Sequence, residues 1–440
     1  MRRLGLVVLL SASAGCGPPR ADWGLEAIRS MATPADPPLT CGGAVPQEPA
    51  PDLLASCAFG AGARVAETLG VDASARAAIP IRHVIVLMKE NRSFDHLLGR
   101  LHDSGQPETE PIPPGYVNPD AAGSQVAPFH ATTTRIPWDP GHQLGSIIAC
   151  IDQDRMDGFV LNAHATTRTD GHFAMAGYDA ADLPFYYWLA ATFALGDRHF
   201  ASMASGTFAN RNFLLFGTNA GVVNTGVVFP PPNTPSLLQL LMNAGFTWGV
   251  YTDGAPFSGA LGWRSGDPGV HSMGALYDAL DRGTLPNVAF VDGRGNVEDD
   301  HPPADLRCGE AWVRTVYDHA VASPQWQRLA IIWTYDEGGG FADHVAPEPH
   351  GCAPGDSRFT QRGPRVPLVV ISPWARRNFV SHVVRDHAAI TRFVEALFDL
   401  PALTARDANS DALLDLFDFS CGADVTVPTA PPAGTGGCPP

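Results

Sequence analysis

The sequence has few charged residues, and most of those are acidic. Charged side chains make up 17% of the 440 residues, against roughly 25% in typical globular domains. Lys and Arg together number 29 and Asp and Glu number 45, so the formal net charge is −16 at pH 7. This acidic balance argues against nucleic acid as a partner, and against a broad cationic surface that docks on anionic lipid.

The apolar run at the start of the chain is too short to cross a bilayer, which needs about 20 residues. Two arginines precede apolar residues 4–10, and small residues then lead to Cys16. This pattern is typical of an export signal over residues 1–15. The segment that ends at Cys16 resembles a bacterial lipoprotein processing site, except that Ser13 stands where Leu is usual. We therefore expect an exported protein that is either secreted or held in the bacterial cell envelope. Its only membrane contact would then be an N-terminal lipid anchor.

The eight cysteines contain no C-x-x-C pair, which argues against a zinc site. In an oxidising compartment, cysteines that are near neighbours in the sequence can form disulfides. The alternative is a set of reduced thiols, because the sequence does not determine connectivity. The expected pairs are Cys41–Cys57, Cys308–Cys352 and Cys421–Cys438, with Cys150 left free.

Short apolar runs bounded by turn-forming residues recur along the middle of the chain. Near-continuous apolar runs of this kind are typical of buried parallel strands, and helical patterns lie between them. Strands that alternate with helices predict an α/β sandwich, with a mainly parallel central sheet flanked by helices. The predicted strands cover residues 82–89, 246–252, 287–291, 329–335 and 366–372.

Two helices carry recognisable end signals. Thr234 and Pro235 precede an apolar stretch that stops at Gly245, so we expect Thr234 as the N-cap and Pro235 as the first helical residue. Asp386 precedes apolar residues at helical spacing that run to Phe398, and we expect it to cap that helix.

Three of the predicted strands run directly into polar clusters. The carboxyl ends of the strands form the ligand crevice in open α/β sheets, so these clusters can meet there. Carboxylate and amide oxygens suit a hard divalent cation such as Mg²⁺, Ca²⁺ or Mn²⁺. For any one cluster alone, a solvated loop is the alternative. The clusters are Glu90-Asn91, Asp299-Asp300-His301 and Asp336-Glu337, the last followed by three glycines.

The same segments resemble a known family. IRHVIVLMKENRSFDHLLGRL, residues 81–101, resembles the opening motif of the bacterial phosphoesterase family that contains phospholipases C and respiratory-burst-inhibiting acid phosphatases. TYDEGGGFADHVAPEP resembles the second signature of that family, and RVPLVVISPWAR resembles a later stretch. The resemblance runs from about Ile81 to Pro401. It implies an alkaline-phosphatase-like α/β fold and hydrolysis of phosphoric esters.

Carried over residue by residue, the resemblance implies a divalent metal site. Glu90 and Asn91 match the first pair of family ligands, and Asp336 and Glu337 match the second. The family nucleophile matches Thr207, which is expected to attack the phosphorus and also to bind the metal. The loop around Thr207 departs from the family pattern, because a glycine and two prolines are replaced. A plain helix N-cap is the alternative role for Thr207, and Ser205 is the second candidate nucleophile.

The resemblance also implies residues that hold the phosphate. His142 and His301 match family histidines near the phosphate, where an imidazolium can bind an oxygen or protonate the leaving alkoxide. Asn91, Arg211 and His344 are expected to bind the substrate, His344 being the weakest match of the set.

Together these observations predict an exported, metal-dependent phosphoesterase that works through a phospho-threonine. Its substrate is expected to be a phosphate ester or a phospholipid, and the choice between phospholipase C and acid phosphatase stays open. A binding protein that keeps the fold without catalysis is the alternative. After the signal segment we expect an N-terminal segment (16–79), a catalytic domain (80–420) and a flexible tail (421–440), loose or pinned through Cys438.

Overall fold

The computed structural model describes residues 36, 51–223, 234–254, 267–348, 352, 360–421, 424–434 and 438. The expected export signal, Cys16 and Cys41 lie outside these residues. Within the described ranges, no helix is both long enough and apolar enough to span a membrane.

Eight strands of the described chain form a central sheet. They are β1 (His83–Lys89), β2 (Ala194–Gly196), β3 (Trp248–Tyr251), β4 (Val270–His271), β5 (Val288–Val291), β6 (Leu329–Tyr335), β7 (Leu368–Ile371) and β8 (Phe379–Ser381). Their order in the sheet is β8-β2-β7-β6-β1-β5-β3-β4. All neighbouring pairs are parallel except those of β7, which is antiparallel to both β6 and β2. The prediction of a mainly parallel sheet is confirmed, and each predicted strand is present with ends shifted by up to two residues.

The two longest strands, β1 and β6, lie side by side at the centre of the sheet. All seven residues of each strand are buried, because both faces of a parallel sheet are covered by helices. Their register pairs His83 with Leu329 and Lys89 with Tyr335. Parallel strands in this register end at the same height, so Glu90 and Asp336 leave the sheet side by side.

Helices cover both faces of the sheet, as the α/β sandwich requires. They are α1 (Pro51–Ala55), α2 (Val65–Thr68), α3 (Ala73–Ala78), α4 (Phe94–Leu98), α5 (Leu144–Ile151), α6 (Phe159–Thr167), α7 (Pro184–Thr192), α8 (Thr207–Phe216), α9 (Leu237–Asn243), α10 (Met273–Arg282), α11 (Leu306–Ala322), α12 (His387–Phe398) and α13 (Ala405–Ala408). Helix α8 packs against α12, and α10 packs against α11.

One of the two predicted helix caps is correct. Asp386 is the N-cap of α12 and accepts a hydrogen bond from the Ala388 amide at 3.0 Å. For α9 the predicted N-cap, Thr234, is wrong, since the helix begins two residues later than expected. Ser236 caps it instead, because its extended backbone lets the hydroxyl accept from the Gln239 amide at 3.1 Å.

The predicted disulfide pairs are wrong. The structure joins Cys57 to Cys352 and Cys308 to Cys438, across sequence separations of 295 and 130 residues. Neighbouring cysteines do not pair, because the strands and helices between them carry the chain across the fold. Cys421 is also disulfide-bonded, whereas Cys150 is free and buried, as expected.

The C-terminal tail lies along helix α11. The Tyr317 hydroxyl donates to the carbonyl oxygen of Pro428 at 3.3 Å, and the Gly434 amide donates to Glu310 at 2.6 Å. With the disulfide to Cys308, Cys438 fixes the end of this segment on the helix. Of the two expected arrangements, the described part of the tail adopts the pinned one.

Candidate active site

The polar clusters at the ends of β1, β5 and β6 meet at one edge of the sheet. The Glu90 amide donates to the Asp299 carbonyl oxygen at 2.8 Å, and the Asp336 amide donates to the Lys89 carbonyl oxygen at 3.0 Å. The Asn91 amide in turn donates to Oδ1 of Asp336 at 3.2 Å. The structure therefore brings together the three segments that the sequence places after separate strands.

Arg211, on helix α8, connects three carboxylates at this edge. Its Nη2 lies 3.0 Å from Glu90, its Nη1 lies 2.7 Å from Asp292 and its Nε lies 3.2 Å from Asp336. The guanidinium is buried, so these ion pairs are shielded from water. Arg211 was predicted to bind substrate. In the structure it holds the carboxylates of the expected metal site in place.

Asp292 is a site residue that the sequence analysis did not assign. It directly follows β5, and its carboxylate lies 2.7 Å from Nη1 of Arg211. The available signal was the one used for Glu90 and Asp336, an acidic side chain immediately after an apolar strand. That signal is weaker here, because Asp292 stands alone and has no second polar residue beside it.

Two of the carboxyl groups at this edge favour their protonated forms. Burial raises the pKa of Glu90 to about 8, with Arg211 opposing the shift and Asp336 adding to it. Burial also raises the pKa of Glu337 well above its usual range, and the neighbouring charge of Asp336 adds to this rise. Charges this close and this buried repel each other unless a cation lies between them.

The unpaired atoms of this cluster fit a divalent cation. Among the described residues, both polar atoms of the Asn91 carboxamide and Oε1 of Glu337 are buried without a hydrogen-bond partner. Buried polar atoms usually have partners, and leaving one unpaired costs about 1–3 kcal/mol. An amide oxygen and carboxylate oxygens are the ligands that hard divalent cations prefer. The expected ligands Glu90, Asn91, Asp336 and Glu337 are therefore chemically suited to such an ion.

Glycine is required beside Asn91. Asn91 has a positive φ of 62°, and Gly339 has a positive φ of 64°. A Cβ atom on Gly339 would lie 2.2 Å from the carbonyl oxygen of Asn91. The glycines after Glu337 therefore let the two loops that carry the expected ligands approach each other closely.

Thr207 is the first residue of helix α8, one turn before Arg211. Gly206 is the N-cap, so the alternative interpretation of Thr207 as an N-cap is wrong. Residues four apart on a helix share a face, which puts the Thr207 hydroxyl on the face that carries Arg211. The backbone N–H groups of a helix start favour bound phosphate.

Asn210 shapes the loop before Thr207, in the segment that departs from the family pattern. Its Oδ1 accepts from the Met203 amide at 2.8 Å, and its Nδ2 donates to the Ser205 carbonyl oxygen at 2.7 Å. The Ser205 hydroxyl donates to the Val223 carbonyl oxygen at 2.6 Å. Of the two candidate nucleophiles, Ser205 is thus engaged with the backbone.

His142 and His301 lie together beside Glu337. His142 donates from Nδ1 to the Pro140 carbonyl oxygen at 2.9 Å, and its Nε2 lies 4.0 Å from Glu337 Oε1. His301 donates from Nδ1 to the Pro302 carbonyl oxygen at 2.7 Å. The ring centroids are 6.0 Å apart. Because a carbonyl oxygen only accepts, both rings are oriented through Nδ1 and leave Nε2 for other partners.

Asp139 joins these histidines and was also missed by the sequence analysis. Its carboxylate lies 3.5 Å from His142 Nδ1 and 3.9 Å from His301 Nε2. One ligand atom from each of the three residues lies within 4.8 Å of the others, close enough to share a metal ion. Its position three residues before His142 gave no distinct signal, because exposed aspartates are common.

His344 belongs to a different buried cluster. Its Nδ1 lies 2.7 Å from Asp95, and Arg365 pairs with both Asp95 at 2.8 Å and Asp343 at 2.9 Å. Burial lowers the pKa of His344, but its hydrogen bond to Asp95 and the charges of Asp95 and Asp343 outweigh this and raise it. The structure thus places this predicted substrate ligand in an ion-pair cluster with Asp95.

His387 contacts the backbone of the segment that carries Asp336 and Glu337. It is the first residue of α12, and its Nε2 donates to the Asp336 carbonyl oxygen at 2.7 Å. The sequence analysis had no signal for this contact, because it joins two segments that are far apart in the chain.

Comparison with known proteins shows the family of the chain. Residues 81–401 match the model of the Phosphoesterase family. The chain is 30% identical to Non-specific phospholipase C3 of Arabidopsis thaliana, over 81% of this chain and 77% of that protein. It is 29% identical to Phospholipase C B of Mycobacterium tuberculosis, over 79% of this chain and 80% of that one. A Vibrio parahaemolyticus protein of the alkaline phosphatase superfamily matches with a TM-score of 0.34 and 10% identity, over 72% of this chain and 77% of that chain. The chain therefore belongs to the Phosphoesterase family and is a hydrolase of phosphoric esters.

Proposed function

We propose that the protein is an exported, metal-dependent phosphoesterase that forms a covalent intermediate on Thr207. The observation that carries the proposal is the position of Thr207 at the start of α8. It lies one turn from Arg211, whose guanidinium contacts both Glu90 and Asp336. A hydroxyl, a helix N-terminus and a set of hard oxygen ligands therefore occur at the same edge of the sheet.

The proposed metal site consists of Glu90, Asn91, Asp336, Glu337 and the Thr207 hydroxyl. A divalent cation bound there would lower the pKa of the hydroxyl and offset the charge of the phosphate. The residues of the chain bind the phosphate and position the ligands. The first N–H groups of α8 bind the phosphate oxygens, and Arg211 holds the carboxylates so that their spacing is kept.

The proposed reaction has two steps. The Thr207 hydroxyl first loses its proton to solvent; the alkoxide oxygen Oγ1 then attacks the phosphorus in line, and the bond from phosphorus to the leaving oxygen breaks. Nε2 of His301 or His142 gives a proton to that oxygen, so the alcohol leaves in neutral form. In the second step the same nitrogen accepts a proton from water, which attacks the phosphorus of the phospho-threonine. The bond from phosphorus to Oγ1 breaks, which releases phosphate or a phosphate monoester and restores the Thr207 alkoxide.

The names of the relatives support phospholipids as substrates, because both are phospholipases C. We propose a phosphate ester substrate, with a phosphodiester lipid such as phosphatidylcholine as the first candidate. A zwitterionic lipid fits the acidic chain, since an anionic membrane would repel its net charge of −16.

Export is part of the proposal. It rests on the N-terminal sequence pattern and on the disulfides Cys57–Cys352 and Cys308–Cys438. Disulfides persist mainly in oxidising compartments. The lipid anchor at Cys16 is the accompanying proposal for how the protein is held in the cell envelope.

The test compares two chromogenic esters, p-nitrophenyl phosphate and p-nitrophenyl phosphorylcholine. We expect Thr207→Ala to lower kcat at least about a thousandfold, as loss of a nucleophile does in other hydrolases. Asp336→Ala should lose bound metal and activity together. Ser205→Ala serves as the matched control and should keep most activity.

Each outcome of this test has a defined meaning. Activity of Thr207→Ala close to that of the wild type would refute the assignment of Thr207 as the nucleophile. Metal binding without turnover of either ester would instead support the alternative of a binding protein on the same fold. The preferred ester decides between phosphodiesterase and phosphatase activity.

A further inference from the structure

A lysine and an aspartate form a fully buried ion pair beneath the proposed active site. Lys89, the last residue of β1, places its Nζ 2.7 Å from Oδ2 of Asp300, and the two side chains are only 1% and 0% exposed. The proposed mechanism uses neither residue. Burying two charges costs several kcal/mol per ion, and an apolar pair of the same volume is often as stable. Fold stability alone does not explain this pair.

Two tyrosines complete the coordination of the aspartate. The hydroxyl groups of Tyr186 and Tyr335 both donate to Oδ2 of Asp300, at 3.0 Å and 2.5 Å. The Lys89 ammonium also contacts the Tyr186 hydroxyl. One carboxylate oxygen therefore accepts from three donors that come from β1, α7 and β6. Such a network fixes the position of Asp300 relative to the central strands.

The fold leaves space for this network on helix α11. A Cβ atom at Gly309 would lie 1.7 Å from Oδ1 of Asp300 and 2.3 Å from Nζ of Lys89. Only glycine at this helical position lets the ion pair pack against the helix. Glycine in a helix interior costs roughly 1 kcal/mol of stability relative to alanine. At Gly309, the close packing of the ion pair against α11 outweighs this low helix propensity.

Asp300 directly precedes His301. Its φ of 71° is left-handed, which is unfavourable for a residue other than glycine. Its carbonyl oxygen accepts from Nε of Arg92 at 2.8 Å, and the preceding carbonyl oxygen, of Asp299, accepts from the Glu90 amide at 2.8 Å. The side chain and backbone of this turn are thus tied to the strand that carries the proposed metal ligand Glu90.

We propose that the Lys89–Asp300 pair is a positioning device that holds the His301 imidazole in place to protonate the leaving group. The inference rests on the proposed role of His301 in the reaction. Lys89 is the last residue of β1 and Glu90 directly follows it, so one strand end sets both the proposed metal-ligand carboxylate and, through Asp300, the turn that carries the acid. A displacement of about 1 Å in such a group can cost up to about a hundredfold in rate.

The test removes both charges together, so that neither is left buried without its partner. The variant Lys89→Met/Asp300→Asn is compared with wild type on phenyl phosphate and p-nitrophenyl phosphate, or on the matching phosphorylcholine diesters. Phenoxide is the poorer leaving group and depends more on protonation. We expect kcat to fall at least about tenfold for the phenyl ester and about threefold or less for the p-nitrophenyl ester, with KM unchanged.

A double-mutant cycle shows whether the pair acts through His301. In the His301→Ala background, the same two replacements should change kcat less than about twofold. Losses that multiply in this background would overturn the proposal, as would an unchanged kcat in the Lys89→Met/Asp300→Asn variant. If that variant does not fold, Tyr335→Phe replaces it, and a loss that is equal for both esters would contradict the proposal.

The controls separate this inference from the proposed function. Glu395→Gln removes one partner of another fully buried pair, with Arg392 at 2.7 Å on α12. It should lower the melting temperature and leave the ratio of kcat for the two esters unchanged. If His301→Ala itself does not change that ratio, the proposed acid role fails. If His301→Ala changes it and the Lys89 and Asp300 replacements do not, only the positioning role fails.

Discussion

Glu90 and Glu337 show how single residues are tuned by their surroundings. Burial raises the pKa of Glu90 to about 8 and that of Glu337 well above its usual range. In the absence of a cation, both groups bind protons more tightly in the folded protein than in the unfolded chain. Metal binding must therefore release these protons, so the affinity for the metal increases with pH.

The stability of the chelated protein should fall as pH rises. The unfolded pKa of Glu90 is near 4.5 and the folded pKa is about 8. The folded state therefore holds the extra proton between these values, and the free energy of unfolding decreases from about pH 5 to pH 8. We expect the melting temperature in EDTA to fall across this window, as measured by calorimetry at fixed ionic strength.

Two controls isolate the carboxyl groups. Glu337→Gln should make the decrease shallower, because the glutamine does not titrate. A saturating divalent cation should abolish the decrease in the wild type. A chelated wild-type protein that melts at the same temperature at pH 5 and pH 8 would contradict the explanation.

At the scale of elements, helix α11 joins three parts of the fold. Glu310 accepts from the amides of Phe185 and Tyr186, at the start of α7, at 2.7 and 3.0 Å. It also accepts from Gly434 of the tail. The disulfide between Cys308 and Cys438 closes this connection covalently. The tail is thus linked to α7 and α11 through Glu310.

Removal of this disulfide should destabilise the protein without removing activity. We expect Cys308→Ser/Cys438→Ser to lower the free energy of unfolding by about 2–4 kcal/mol, because the cross-link restricts a long loop of the unfolded chain. Urea denaturation measures the loss, and kcat below the transition should stay within about twofold of the wild type. Full reduction of the wild-type protein should cost more than the double variant. Equal stability of the double variant and wild type in oxidising buffer would refute the prediction.

The charge of the whole molecule bears on how it meets its substrate. A net charge of −16 repels phosphate monoesters at long range, and salt at 0.1 M largely screens this repulsion at distances beyond about 10 Å. Binding therefore depends on local positive groups, namely the first turn of α8 and the proposed cation.

Salt should raise the efficiency of the enzyme toward an anionic ester. Between 10 and 150 mM NaCl, we expect kcat/KM for p-nitrophenyl phosphate to rise by about two- to fivefold, because screening weakens the repulsion. p-Nitrophenyl phosphorylcholine carries no net charge and is the matched control, with a change of less than about 1.5-fold. A monotonic decrease for the monoester, with the control unchanged, would show that local attraction dominates at these distances.

The sequence was sufficient to predict the sheet and the polar segments that meet at its edge. Strands β1 and β6 are buried along their whole length and mainly apolar, because both faces of the sheet are covered. The register of these two strands then fixes where Glu90 and Asp336 emerge. Local patterns succeed here, since burial of a strand and the polar residues after it are encoded in one short segment.

Helix ends and cysteine pairs are features that local sequence patterns do not determine. Thr234 and Ser236 are both acceptable N-caps by residue type, and only the backbone conformation around Ser236 selects it. Cys308 lies nearer to Cys352 than to Cys438 in sequence, yet it bonds Cys438. Packing of the tail on α11, which no local pattern encodes, brings these two sulfur atoms together.

The sequence by itself determined the family, the mainly parallel α/β architecture and the residues that enter the crevice from β1 and β6. Only the tertiary structure decided that Arg211 binds carboxylates, that Asp292 and Asp139 join the site, and that Asp300 pairs with Lys89. The reason is physical: hydrophobic periodicity reports the burial of a segment against solvent. Contacts between polar side chains from distant loops depend on which strand ends are neighbours, and this is set only when the whole sheet has formed.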